Sequence, residues 1–363
     1  MSIKPRVMVA MSGGVDSSVA ALLLVESGYE VIGATLHLWT APEVGEPITK
    51  PSRLCCSVES IDRAKRVASH LGIRHYVLDY TSFFEQSVVE PFCRDYMAGY
   101  TPNPCVRCNR VVKFGKLLDT ARQLDITYLA TGHYARVETD QRGISHLKRG
   151  IDHTKDQSYM LCALTRDQLN HVLFPLGELR KSEVRTYSDR LGNLMCDVPE
   201  SQEICFVTDG NYRSFVSDRM PEAARPGPIL DSSGREVGRH TGIAFYTIGQ
   251  RKGLGIASPR PLYVTRIDPV NNAVIVGTSD EVYSSHTRVT DVNWLEHPEK
   301  MPIDATVQIR HRHTAAQARV SELDDGDLAV EFAVPQRAIT PGQTAAIYRG
   351  DLVLGGGTIV NRQ

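Results

Sequence analysis

VMVAMSGGVDSSVAALLLVESG, Val7 to Gly28, decides the fold. Val7-Met8-Val9-Ala10 is a short, fully apolar run of the kind found in a buried parallel strand. Ser17 to Glu26 then carries Val19, Ala20, Leu23 and Leu24 at helical spacing, with Gly28 as a stop. Between them AMSGGVDSS, Ala10 to Ser18, joins strand to helix. Gly13 and Gly14 let backbone N–H groups approach an anion, Ser12, Ser17 and Ser18 offer hydroxyls, and the helix amino terminus adds a favourable dipole. The loop lacks the G-x-x-x-x-G-K-S/T spacing and the lysine of the ordinary phosphate loop, and it lacks the G-x-G-x-x-G of a dinucleotide binder. Asp16 is an odd neighbour for phosphate unless a divalent cation lies between them, so it reads as a Mg²⁺ contact. The plainer alternative is a serine-capped helix start with an aspartate in its first turn.

The same alternation continues outward. Tyr29 to Leu38 forms a second strand, and Ser57 caps a helix whose Ile61, Ala64, Val67, Ala68 and Leu71 make one apolar stripe closed by Gly72. His75 to Leu78 begins a third unit, Val111, Phe114, Leu118 and Ala121 mark a further amphipathic helix, and Ile126 to Ala130 supplies a fourth strand. Helix-prone sequence follows through Gln157 to Leu164 and Lys181 to Leu191. Strands alternating with helices give a parallel sheet covered on both faces, with ligands bound beyond the carboxyl ends of the strands. After about residue 205 the texture changes to Gly, Pro and short alternating runs such as Leu262-Tyr263-Val264-Thr265, Ala273-Val274-Ile275-Val276 and Ala305-Thr306-Val307-Gln308-Ile309. Those runs predict small β-domains or barrels. The predicted division is an α/β domain over 1–205, a small central domain over 206–278 and a β-rich domain over 279–363.

Composition limits what such a chain does. Its 363 residues exceed what one core comfortably organises. Apolar content of 42% and charged content of 23% are those of an ordinary globular protein. No stretch approaches the apolar length of a membrane span, and the first residues show no charged, apolar and cleavage regions of a secretory signal, so a cytoplasmic location is expected. Eight cysteines in a reducing compartment read as free thiols, metal ligands or redox catalysts before they read as a disulfide framework. A formal net charge of −1 argues against wholesale coating by nucleic acid but leaves room for local basic clusters.

SGGVDSS after a first strand resembles the ATP pyrophosphatase loop family, whose members cleave ATP between the α and β phosphates and adenylate a substrate oxygen. Three further stretches, TPNPCVRCNRVVKFG at 101–115, PESQEICFV at 199–207 and TIGQRKGLGI at 247–256, together resemble the tRNA-specific 2-thiouridylase family, and the likeness runs to TPGQTAAIY at 340–348. The resemblance implies an α/β fold, in which a parallel-sheet ATP pyrophosphatase domain (adenine nucleotide alpha hydrolase-like) precedes two small β-rich domains. It also implies a reaction in which ATP activates the C2 carbonyl of the wobble uridine of tRNA as an O-adenylate, and a cysteine persulfide delivers sulfur with release of AMP. Adenylation answers a chemical need, because that carbonyl is a poor electrophile without a leaving group. Two thiols within reach are then needed, one to carry sulfur and one to release it by forming a disulfide. By resemblance the carrier is Cys205 and its partner Cys108. The nucleotide would lie against Ala10, Met11, Ser12, Gly13, Gly14, Val15, Asp16 and Ser17, with Leu36 and Gly132 also in contact. The tRNA would meet Asn103, Pro104 and Cys105 around a flipped uridine, then His133, then Lys155, Asp156 and Gln157 of the KDQSY segment, and Arg310, His311 and Gln343. The implied partners are tRNAs of the Lys, Glu and Gln type and a sulfur donor such as a cysteine desulfurase or a relay protein, with no membrane.

The chain departs from the family pattern at Cys105, where aspartate is usual, so the loop reads C-x-x-C. Cys105, Cys108 and Cys205 together make three thiolates, enough to hold a 4Fe–4S cluster with one iron open to a sulfide. Zinc is a competing occupant, and a purely resolving role for Cys105 is a third reading. Cys55, Cys56, Cys93, Cys162 and Cys196 read as small hydrophobes or inert thiols. Two basic stretches suit RNA: Gly238-Arg239-His240 through Arg251-Lys252, interleaving Phe245 and Tyr246, and Arg310-His311-Arg312-His313. The rival readings are another adenylating enzyme of the amidotransferase-like synthetase kind, and a non-catalytic tRNA-binding or iron–sulfur sensor protein.

Overall fold

The computed structural model describes residues 5–39, 58–195, 204–207 and 210–360. It comprises two compact units, one of residues 1–88, 105–210 and 351–353, the other of residues 89–104, 211–350 and 354–363.

The first unit is built on β1 (Arg6–Ala10), followed by helix α1 (Val15–Glu26), β2 (Glu30–His37), α2 (Val58–His70) and β3 (Arg74–Asp79). Strands β4 (Tyr128–Ala130) and β7 (Val172–Leu173) complete a five-stranded sheet of order β3-β2-β1-β4-β7 in which every pairing is parallel. The centre of β1 is buried because Val7 and Val9 pack into a core with Val19, Ala20 and Leu24 of α1 and Ala64, Val67 and Ala68 of α2. Burial on both faces explains why β1 shows a continuous apolar run instead of alternation. The chain winds outward from β1 through β2 to β3, then returns to the other side of β1 for β4. The carboxyl ends of β1 and β4 therefore flank a topological switch point, where sheets of this kind bind ligands. A hairpin of β5 (Ala135–Thr139) and β6 (Ser145–Arg149) follows β4.

The helix expected around Val111 to Ala121 has an unexpected form. A short α3 (Pro104–Cys108) runs into a π-helical stretch, Asn109–Leu117, before α4 (Leu118–Gln123) restores ordinary geometry. The buried positions are Asn109, Val112, Phe114, Leu117, Leu118 and Ala121, so Val112 replaces the predicted Val111. A π turn holds more residues than an α turn and so rotates the apolar face off the 3.6-residue period. The predicted helix at Gln157 to Leu164 reduces to a 3-10 turn, Ser158–Leu161, while Lys181 does begin a helix, α5 (Lys181–Asp189). The proposed cap Ser57 lies outside the described residues.

The second unit holds α6 (Tyr212–Arg219), capped where Ser214 N donates to Asn211 Oδ1 at 3.3 Å. A four-stranded sheet of order β10-β11-β8-β9 joins β8 (Gly227–Leu230), β9 (Glu236–His240), β10 (Tyr263–Asp268) and β11 (Ala273–Gly277). Beyond it, β12 (Tyr283–Trp294), β13 (Ile303–Gln308), β14 (Ala316–Glu322), β15 (Leu328–Arg337), β16 (Thr344–Arg349) and β17 (Leu352–Val360) run in the order β12-β15-β14-β13-β16-β17. β17 pairs back onto β12, Val289 opposite Ile359, and this closes a barrel without free edges. Val289, Val307, Val320, Val330, Ile347 and Ile359 are among its buried residues. The short runs of the sequence after residue 205 are these strands. Among the described residues no helix is long and apolar enough to cross a membrane.

Candidate active site

The loop leaving β1 is shaped by its own backbone. Gly13 has φ +72, which glycine adopts without cost, and a side chain there would collide with the Ser60 carbonyl of α2. Arg63, also on α2, donates Nε to Gly13 O at 2.7 Å. Met11 N donates to Ala34 O at 2.8 Å, continuing the β1–β2 register beyond Ala10 and burying Met11. α1 is not serine-capped: its cap is Gly14, without a side-chain hydrogen bond. The first N–H groups of an α-helix, here from Val15 onward, have no acceptor within the helix and remain the natural donors for an anion. The serine hydroxyls do different work from that expected. Ser17 Oγ and Ser18 Oγ donate to Gly14 O at 3.1 and 2.9 Å, Ser12 N donates to Ser17 Oγ at 3.1 Å, and Ser18 is fully buried. Ser17 and Ser18 thus fix the turn, and Ser18 is withdrawn from any ligand.

Asp16, read from the sequence as a Mg²⁺ contact, is engaged within the protein. Its Oδ1 accepts from Lys181 Nζ at 2.6 Å and from Tyr134 Oη at 2.8 Å, so the cation beside it is an ammonium supplied from the start of α5. Among the described residues no group of three His, Cys, Asp or Glu side chains is arranged to hold a metal ion. Gly132, after β4, makes room for the helix itself: a Cβ there would lie 2.7 Å from Asp16 C and 2.8 Å from Ser17 N. Leu36 is buried near the carboxyl end of β2, opposite Leu78 of β3. Just beyond β3, Leu78 to Phe83 with Lys116 and Thr120 line an open cavity of about 500 Å³.

His133 contacts Thr131 Oγ1 through Nδ1 at 2.7 Å, with Phe114 and Phe174 each 5.9 Å away centroid to centroid. Burial, with Lys113 nearby, holds its pKa well below the usual imidazole range. The ring is neutral at neutral pH and brings no charge to phosphate.

The KDQSY segment turns inward. Asp156 accepts from Arg149 Nη1 (2.9 Å), Gly150 N (3.0 Å), Ser158 N (3.1 Å) and Ser158 Oγ (2.9 Å). Gln157 takes Tyr134 N on Oε1 at 3.0 Å and donates its own N to Tyr134 O at 2.9 Å. Asp156 and Gln157, expected against tRNA, brace the protein here, and Lys155 remains partly exposed. Met160 N donates to Gln157 O at 2.9 Å, and Asn109 Nδ2 donates to Met160 O at 3.0 Å. A hydrogen-bonded path therefore runs from Asp16 through Tyr134, Gln157 and Met160 to Asn109, the neighbour of Cys108.

Cys108 is buried at the end of α3, whereas Cys105, one turn earlier, is exposed. Cys205 is partly exposed, and Phe206 beside it is buried edge-on to Phe84 at 5.6 Å. The three thiols are not gathered into a metal-binding group, so the arrangement does not fit the cluster considered from the sequence. Cys93 and Cys162 are buried, and burial pushes the Cys162 thiol up to about 12, as suits inert thiols. Cys55, Cys56 and Cys196 lie outside the described residues.

In the second unit Gln343 meets the TPNP loop: its Nε2 donates to Thr101 O at 2.9 Å and Pro102 O at 3.4 Å, and Thr101 N donates to Pro341 O at 2.8 Å. Asn103 of that loop is partly exposed and Pro104 buried. Arg310 Nη1 donates to Arg337 O at 3.0 Å, and His311 is exposed. The aromatic residues expected to hold bases do not face outward: Phe245 and Tyr246 are buried, as is His240, bonded through Nε2 to Asn272 O at 2.9 Å. Arg251 and Lys252 are exposed.

Lys181, Tyr134 and Arg63 escaped the sequence reading. Each stands far along the chain from the loop it serves, and only the known sheet order brings them there.

A parallel sheet with a glycine-shaped anion loop at its switch point defines a nucleotide-binding domain of the ATP pyrophosphatase class. Residues 5–209 match the family described as tRNA methyl transferase HUP domain, 213–278 the tRNA methyl transferase PRC-barrel domain, and 284–359 the aminomethyltransferase beta-barrel domain. A tRNA-specific 2-thiouridylase MnmA of Moorella thermoacetica is 51% identical over 359 residues, covering 97% of this chain and 98% of its own. That of Heliobacterium modesticaldum is 49% identical over 364 residues, covering 99% and 93%. The chain belongs to the tRNA-specific 2-thiouridylase family, a family of enzymes.

Proposed function

We propose that the protein performs ATP-dependent 2-thiolation of the wobble uridine of tRNA by adenylation followed by persulfide transfer. The observation that carries this is the hydrogen-bonded path from Asp16 in the anion loop to Asn109 beside Cys108. It holds the two half-reactions to one framework, and positioning of this kind is a large part of catalytic power.

The uridine C2 oxygen attacks the α phosphorus of ATP, the bond to the β phosphate breaks, and pyrophosphate leaves with the electron pair. N–H groups at the start of α1 stabilise the added charge on the phosphoryl oxygens. The terminal sulfur of a Cys205 persulfide then adds to C2, and AMP departs with the electrons of the C2–O bond. Cys108 thiolate attacks the inner sulfur of Cys205, the S–S bond breaks toward the uridine as C=S, and a Cys108–Cys205 disulfide remains for a thiol reductant. Burial of Cys108 guards the resolving thiol from solvent until that step. Mg²⁺ bound with ATP would supply positive charge to its phosphates, and Asp16, whose Oδ1 is held by Lys181, is the carboxylate that would stand toward it.

We assign the catalytic roles to residues 1–205, with 206–278 as a small central tRNA-binding domain and 279–363 as a β-barrel domain, working in the cytoplasm on tRNAs of the Lys, Glu and Gln type with sulfur from a desulfurase or relay protein. The exposed Arg251, Lys252 and His311 supply surface donors for the RNA backbone. The test is a single turnover on an unmodified anticodon stem–loop, following pyrophosphate, AMP and 2-thiouridine. Thiolation without ATP, or pyrophosphate release without RNA, would refute the reading.

A further inference from the structure

We infer that Lys181 is the catalytic cation of this site, the ammonium that stabilises the departing pyrophosphate. The inference rests on the adenylation reading above and assigns it a residue.

The loop Ser12–Ser18 contains no lysine or arginine, and a helix amino terminus alone offers only about half an elementary charge. Pyrophosphate leaves with several negative charges, and Asp16 in the first turn of α1 adds another of the same sign. An uncompensated carboxylate there would repel the nucleotide. Lys181 removes that obstacle. Its backbone is fixed first: Lys181 N donates to Asp152 Oδ2 at 2.9 Å, and this bond is the main reason Asp152 lies below the usual carboxylate range. Its side chain, only 11% exposed, then reaches Asp16 Oδ1 at 2.6 Å, with Nζ 5.7 Å from the centre of the Tyr134 ring.

A structural role alone explains this poorly. The ammonium is largely buried while the Asp16 carboxylate is 36% exposed, and a pair so placed gains little stability, since desolvation of the lysine and screening at the aspartate offset most of the attraction. This pair joins residues 165 apart in the chain, at the mouth of the anion loop instead of in the core. An ammonium carries three donors in a compact point charge, so it can hold a carboxylate and a phosphate oxygen together. During the step Lys181 transfers no proton. The α-phosphorus–oxygen bond breaks, its electron pair passes to pyrophosphate, and the fixed charge beside that oxygen lowers the barrier without reorganisation.

The experiment uses the full chain with an unmodified anticodon stem–loop and measures RNA-dependent pyrophosphate release at saturating ATP, together with the melting midpoint. Lys181→Met is expected to lower the release rate by about 10²–10³-fold, the range for removing one transition-state donor. Lys181→Arg, which keeps the charge in a different shape, is expected to lower kcat less while leaving the KM for ATP nearly unchanged. Should Lys181→Met fail to fold, Lys181→Gln, which keeps a polar donor without the charge, decides in its place: a kcat equal to wild type overturns the inference. A Lys181→Met protein that melts lower but releases pyrophosphate at the wild-type rate overturns it as well, and leaves the adenylation reading standing. Wild-type protein that releases no pyrophosphate with RNA removes the adenylation reading itself, and Lys181 with it.

Discussion

Gly132→Ala tests whether the first turn of α1 is the working part of the anion site. The added Cβ would sit 2.7 Å from Asp16 C, 2.8 Å from Ser17 N and 2.9 Å from Asp16 O, all backbone atoms that cannot rotate away. Ordinary carbon contacts lie at about 3.5–4.0 Å, so the helix start must retreat by roughly 1 Å. Overpacking of this kind costs about 1–3 kcal/mol, which lowers the melting midpoint by roughly 5 °C. The functional loss should be larger in proportion, since a misplacement of about 1 Å can cost 10²-fold in rate. RNA-dependent pyrophosphate release is therefore expected to fall about 10²-fold. Gly72→Ala is the control: Gly72 has φ +67 with nothing near its Cβ position, so alanine there costs about 1–2 kcal/mol of backbone strain away from the site. Its release rate should match wild type. A Gly132→Ala protein with a wild-type rate refutes the argument, and so does a Gly72→Ala protein that slows equally, because stability alone would then explain both.

Cys205→Ser and Cys108→Ser should each abolish 2-thiouridine formation, while Cys205→Ser still releases pyrophosphate; loss of both products in Cys205→Ser would contradict separate half-reactions. Gln343→Leu leaves the Thr101 and Pro102 carbonyls without their shared donor. At about 1–3 kcal/mol for an unsatisfied polar group, the KM for a stem–loop should rise about tenfold, and an unchanged KM would detach this contact from RNA binding. Burial holds the pKa of His75, His133, His240 and His313 below the ordinary imidazole value. The unfolded chain then binds more protons, so stability is full above about pH 6.5 and is lost as pH falls from there through the folded pKa values. Melting midpoints should decline from pH 7 to pH 5, less steeply in His240→Gln, and a flat wild-type profile would contradict the assignment.

The first strand, the loop and the first helix were readable because a buried parallel strand and an amphipathic helix write different periods into the chain. The β-rich character of the second half was readable from its short alternating runs. The π-helical stretch after Cys108 was not, since nothing in Asn109 to Leu117 distinguishes a wide turn from an ordinary one until Val112 is found buried in place of Val111. Lys181 was visible only as a helix start. Its partner stands at the other end of the domain sequence, and ion pairs of that separation leave no local pattern. Phe245 and Tyr246 looked like base-stacking groups because they lie among cations, but aromatic side chains have more to gain from a core, and both are buried.

The inward turn of Asp156 and Gln157 changes what their motif means. A carboxylate accepting four hydrogen bonds, one from Arg149, is committed to holding its loop, and a glutamine that clasps both backbone groups of Tyr134 is committed likewise. Tyr134 is the residue that steadies Asp16, and Asp16 in turn holds Lys181. Residues placed by resemblance on the RNA surface thus brace the nucleotide loop from behind, in the way supporting hydrogen bonds commonly fix catalytic groups. The same path reaches Asn109, buried at 3% exposure with its Oδ1 unbonded, at the point where α3 gives way to the wide π turn. π turns often occur at functional sites, and this one begins at the residue after Cys108, the resolving thiol of the proposed reaction. In the proposed reaction the architecture therefore does not divide ATP chemistry from sulfur chemistry: a shift in the 3-10 turn Ser158–Leu161 would move Lys181, the cation inferred for the phosphates, and the helix that carries Cys108 together.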